Sequence, residues 1–176
     1  MRTLLIALFV NLSLFCNAQH LLFNDISIDG EIENFSNSLL DKGFTKWDKN
    51  ADSEIEKWFV GKYSSYDAVL VANATPISKT AYSLQIILEF DDNLELNVAE
   101  QHLKEKLKSD YRAKNRKTNG SAWIVKTKEG EISISKSKHI KPLLSIHFHD
   151  FKNFKKYINP NRSLGFLCVV RQREIL

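Results

Sequence analysis

The chain has 176 residues, 43% apolar and 26% charged, with two cysteines, six glycines and a formal charge of +4. That apolar share excludes a charge-dominated disordered segment, two cysteines exclude a disulfide scaffold, and six glycines leave little material for phosphate-cradling loops. The small net charge hides a division: residues 19–98 carry 14 Asp/Glu against 6 Lys, hence −8, and residues 99–176 carry 18 Lys/Arg against 7 Asp/Glu, hence +11.

The N-terminus reads as a signal peptide over residues 1–18. Met1 and Arg2 form a short positive region, residues 4–15 an apolar one, and Cys16-Asn17-Ala18 places small residues at −3 and −1 of a cut before Gln19. The apolar run of about 12 residues is too short to span a bilayer, which takes about 20. Phe15 before Cys16 argues against a lipoprotein site. The expected product is secreted or periplasmic, cleaved after Ala18, with no transmembrane segment left. Cys16 departs with the signal, so Cys168 alone remains and no internal disulfide forms.

Residues 19–96 read as a first unit with a leading strand. After an alternating stretch at 21–28, suited to an edge strand, Ile32, Phe35 and Leu39 keep a helical stripe. Asp29 or Gly30 is placed to cap that helix, and Gly43 to close it with Phe44 folding back. Strand patterns follow at 54–62, 67–73 and 81–90; in the last, Leu84, Ile86 and Leu88 alternate with Ser83, Gln85, Ile87 and Glu89. Asp91-Asp92 reads as a solvated turn.

Residues 97–158 repeat the order. Asn97-Val98-Ala99-Glu100 has the form of a capping box, Ala99, Leu103 and Leu107 share one face, and Glu100 pairs with Lys104 at i, i+4. A polar loop over 112–120 precedes strand patterns at 122–127, 131–136 and 143–149. Offsets of roughly 60 to 68 align Leu39 with Leu107, Trp58 with Trp123, and Leu84-Ile86-Leu88 with Leu144-Ile146-Phe148, which suggests a tandem duplication. The expected fold is therefore α+β, two αβββ units with both helices packed on one face of an antiparallel sheet. Residues 159–176 form a tail in which Asn159-Pro160-Asn161 breaks structure ahead of an apolar stretch at 165–170.

Leu22-Phe23-Asn24-Asp25-Ile26-Ser27-Ile28-Asp29-Gly30, then Phe35 and Lys42-Gly43-Phe44, resemble a group of small uncharacterised secreted proteins of Gram-negative bacteria. In that group a strand ending in Ile-Asp-Gly runs into a helix closed by Lys-Gly-Phe. The tandem plan also looks like that of beta-lactamase inhibitory proteins and PepSY-type modules, which implies binding or inhibition without catalysis. The chain departs from the inhibitory proteins by lacking their disulfides, and no binding residue transfers by motif.

Catalytic patterns are absent from the sequence. Gly-x-Ser-x-Gly and His-Glu-x-x-His do not occur. His147 and His149, two apart in a strand, share a face, and His139 lies nearby, but no further ligands at metal spacing accompany them. The expectation is no enzyme, no cofactor and no metal. Seven basic residues between Lys104 and Lys117 suit an anionic surface, and export argues against nucleic acid. Six aromatics, Trp47, Trp58, Trp123, Tyr63, Tyr66 and Tyr82, are available as core or as interface anchors. Ile87, Glu89, His147 and His149, on the solvated sheet face, are the candidate binding residues. The expected function is a binding or inhibitor-like module engaging a protein partner of the envelope or extracellular space. The alternative is an envelope-surface binder holding an anionic polymer or lipid through the basic half.

Overall fold

The computed structural model describes residues 20–48, 53–111, 116–119, 122–138 and 141–157. The proposed signal peptide, His139, Cys168 and the 159–176 tail lie outside them. The chain is α+β and contains a large antiparallel sheet. No helix among the described residues is long and apolar enough to cross a membrane.

The first described elements form a hairpin, β1 (Leu22–Phe23) and β2 (Ile26–Ser27). This replaces the expected edge strand at 21–28. Asn24 and Asp25 adopt φ of 45° and 66°, a left-handed pair that these residue types tolerate and that reverses the strand in two residues. Helix α1 (Ile32–Asp41) buries Ile32, Phe35, Ser36 and Leu39, matching the expected stripe. Its N-cap is Glu31, with no side-chain cap bond. Asp29 is instead turned to Asn153 and His20. At the other end Gly43 takes φ 90°, and the amides of Gly43 and Phe44 donate to Leu40 O and Leu39 O. That is the Schellman closure expected for Lys-Gly-Phe. Phe44 then lies over Gly61, where an added Cβ would sit 2.6 Å from its ring, so a strand glycine makes room for the residue that ends the helix.

The main sheet follows. Strands β3 (Thr45–Lys46), β4 (Glu56–Tyr63), β5 (Tyr66–Ala74) and β6 (Ala81–Glu89) form an antiparallel meander. Helix α2 (Asn93–Asp110) leads to a second meander of β7 (Arg116–Asn119), β8 (Ala122–Lys126), β9 (Gly130–Lys138) and β10 (Pro142–Asp150). The order across the eight strands is β3-β4-β5-β6-β10-β9-β8-β7. The meanders join through their last strands, with Ile86 opposite Ile146. Each meander therefore has four strands, one more than expected; β7 occupies part of the presumed 112–120 loop, and β3 is too short to leave a periodic signature.

Helix α2 begins four residues before the Asn97 box. Phe90 is buried at the end of β6, so the chain must turn at once, and Asp92 caps by accepting from Leu94 N and Glu95 N at 2.7 and 2.8 Å. Asn97 and Glu100 then fall inside the helix. Glu100 pairs with Lys104, as expected, at 2.6 Å, and also with Lys136 at 2.8 Å. Burial raises its pKa, but these two lysines outweigh burial and hold it below the usual carboxylate range. A further short helix, α3 (Phe151–Tyr157), follows β10.

Leu84, Ile86, Leu88, Leu144, Ile146, Phe148, Ile132, Ile134, Phe59 and Leu70 share one hydrophobic core with the buried stripes of α1 and α2. Trp123 belongs to that core and is opposite Ile134, whereas Trp58 pairs with Val71. Phe59 rather than Trp58 occupies the place corresponding to Trp123, so the two tryptophans face opposite sides of the sheet and their alignment does not hold.

Candidate binding face

Strand alternation sends the remaining side chains to the opposite face, and the registers order them into rows. One row runs Trp58, Val71, Gln85, His147, Ser133, Ile124. Beside it runs Val60, Val69, Ile87, Ser145, Ser135, Ala122. On the far side of the first row lie Glu56, Asn73, Ser83, His149, Glu131 and Lys126. Three of the four sequence-selected residues, Ile87, His147 and His149, thus stand within two adjacent strands at the centre of the sheet. Glu89 is on the same face, opposite Leu143, and is drawn to the rim by a 2.7 Å ion pair with Lys141.

The two imidazoles lie parallel, with ring centres 6.0 Å apart. Lone pairs in parallel planes point side by side rather than at a common ion. Among the described residues no group of three or more His, Cys, Asp or Glu is arranged to hold a metal. Burial first, and the neighbouring His149 second, push the pKa of His147 down to about 4; burial also lowers that of His149, against the pull of Glu131. Both rings are therefore neutral at pH 7 and present one donor and one acceptor each.

The aromatics divide between the faces. Trp47 packs edge-on against Trp58 at 5.6 Å, and Trp58 Nε1 donates to Glu56 at 2.8 Å. Tyr63 is in the core, Tyr66 packs against it, and Tyr82 meets Phe154 of α3 at 5.6 Å. Phe154 also contacts His149 at 6.3 Å. The basic run between Lys104 and Lys117 is partly neutralised within α2: Lys104 pairs with Glu100, Lys106 with Asp110 and Lys108 with Glu105.

Sequence reasoning missed one polar node at the end of β10. Asp150, fully buried, contacts His20 Nδ1 at 3.1 Å and accepts from Leu21 N at 2.8 Å and from the Lys152 and Asn153 amides at 3.0 Å. Asn153 Nδ2 lies within 3.3 Å of Ile28 O, Asp29 Oδ1 and Ala81 O. The node ties the start of the described chain to the last strand. Its only sequence signal was an aspartate three residues before an asparagine at a strand end, a cap pattern. No protein-family model, curated protein or solved structure matches this chain.

Proposed function

We propose that this is an exported, non-enzymatic binding module that engages a protein partner through the face of Ile87, Glu89, His147 and His149. The observation that carries the reading is the composition of the two central rows. Tryptophan, valine and isoleucine from β4, β5 and β6 adjoin glutamine, serine and neutral histidine from β6, β10 and β9, and no lysine or arginine enters the rows between Trp58 and Ser133. Partly apolar, charge-poor surface with aromatic neighbours is the make-up of a non-obligate interface core. The mirrored strand order, with Ile86 and Ile146 meeting at its centre, supports reading the chain as a tandem duplication of a helix and its strands. It supports equally that α1 and α2, whose stripes join one core cluster, cover the same face and leave the other to the partner.

Replacing Ile87 and His147 together with Glu places two charges at the centre of that face. The expected outcome is loss of partner capture from envelope extract with the fold retained by circular dichroism, at a melting temperature lowered by the charge placed where His147 is desolvated. Unchanged capture, or unfolding of the double variant, overturns the assignment. Capture that collapses between 50 and 500 mM salt instead supports the anionic-surface alternative, since exposed charge attraction is screened and an apolar interface is not.

A further inference from the structure

The two central rows of the binding face carry no Asp, Glu, Lys or Arg across six strands, from Trp58 and Val60 on β4 to Ile124 and Ala122 on β8, although 26% of the chain is charged. Charges begin on the flanking rows, and there they are matched within the chain: Lys62 with Asp67 at 3.0 Å, Lys126 with Glu131 at 3.4 Å and Lys141 with Glu89 at 2.7 Å. Glu56 accepts from Trp58 Nε1 at 2.8 Å. The face thus gives a charged partner little field to follow. A surface that meets its own copy about a twofold axis sets residues near that axis against their own kind, so neutrality of this sort is what self-association requires.

The two rows also fit one another. A twofold axis in the plane between two such faces, perpendicular to the strands and midway between the rows, sets each row over the other. At the central strands Gln85 of one copy then lies over Ile87 of the second, and His147 over Ser145, whose hydroxyl suits a neutral imidazole. The crossing of aligned sheets by about 30° displaces the outer strands but not this centre. Six strands at ~4.8 Å and four rows at ~6.8 Å make a face of about 800 Å² per copy, which is what an interface of standard size buries on each side. On the reading that this surface is the binding face, we propose that its partner is a second copy of this chain, packed sheet on sheet with Ile87, Ser145 and His147 at the centre.

Sedimentation velocity on the mature form of the full chain, between about 1 and 100 µM, reads the association directly. The expected result is a dimer that persists in about 500 mM salt, since its contacts are uncharged. Ile87→Glu should weaken it by about 30-fold or more by setting like charges together across the axis. Val60→Lys, at an exposed position of the same face, gives the same readout with less strain on the monomer and decides the matter if Ile87→Glu fails to fold by circular dichroism. Leu94→Glu, on the exposed apolar side of α2, should leave the dimer intact. A chain still monomeric at the top of that range overturns the proposal, as does a dimer that dissolves in salt, withstands the face variants, or is broken by Leu94→Glu instead. A monomer that captures another protein through Ile87 and His147 overturns the second copy while the binding face stands; a monomer that captures nothing overturns both.

Discussion

His147 faces Gln85 of β6 and Ser133 of β9, with His149 two residues along its own strand and Glu131 on the neighbouring strand beside His149. The groups across the sheet from His147 are thus uncharged, so nothing there offsets the cost of a buried imidazolium. Because the folded pKa lies below the unfolded value near 6.5, the unfolded chain takes up the proton first. The neutral ring's contribution is complete above pH 6.5 and is lost as pH falls toward 4. Between pH 7.5 and 5 wild type should lose about 2 kcal/mol relative to His147→Gln. Denaturant titrations at both pH values check this, and a constant gap would mean that the ring is freely hydrated. The same strand parity that selected His147 from the sequence also placed Ile87 and His149 beside it, because alternation is a property of the strand alone. Burial of the rings was not legible, since it depends on what lies over the face.

At the scale of single elements, α1 and α2 were readable by stripe and misread at their starts. Leu39 and Leu107 are each fully buried, and Leu39→Ala and Leu107→Ala should each cost about 2 to 5 kcal/mol in chemical denaturation. A loss in either no larger than at a surface position would put that helix in the wrong register. The beginning of α2 separates two capping schemes. Asp92→Ala removes the acceptor for two helix amides and should cost about 1 kcal/mol, whereas Asn97→Ala, in mid-helix, should cost less than half as much. Its side chain accepts an exposed hydrogen bond from Lys136 at 3.2 Å. Melting temperatures of the two variants decide the matter, and the reverse order would restore the Asn97 box. Asn97-x-x-Glu100 is a sound local signal, but capping is a competition between nearby candidates. Asp92 wins because burial of Phe90 forces the turn first.

The whole molecule is organised by the β6–β10 seam. Seven register pairs join the meanders there, from Leu143–Glu89 to His149–Ser83, and one core cluster draws on both halves. The two halves share that one cluster, so unfolding should be a single transition. Far-UV circular dichroism and tryptophan fluorescence should coincide, as should the curves of variants retaining only Trp58 or only Trp123. Separate midpoints would show that the halves are independent domains.

Periodicity and local turn chemistry let the sequence by itself determine the α+β class, the helix stripes, six of the strands, the Gly43 closure and the face on which Ile87, His147 and His149 stand. Each of these is set by residues within one or two turns or pairs of one another. Only the tertiary structure decided that the leading stretch is a hairpin, that four strands rather than three follow each helix, and that Phe59 rather than Trp58 answers to Trp123. It also revealed the Asp150 node, whose partners His20 and Leu21 are about 130 residues away. Such features depend on long-range pairing partners, which no local window contains. One residue of shift in a strand changes the face of every side chain, so two tryptophans near the same place in their units came to lie on opposite sides of the sheet.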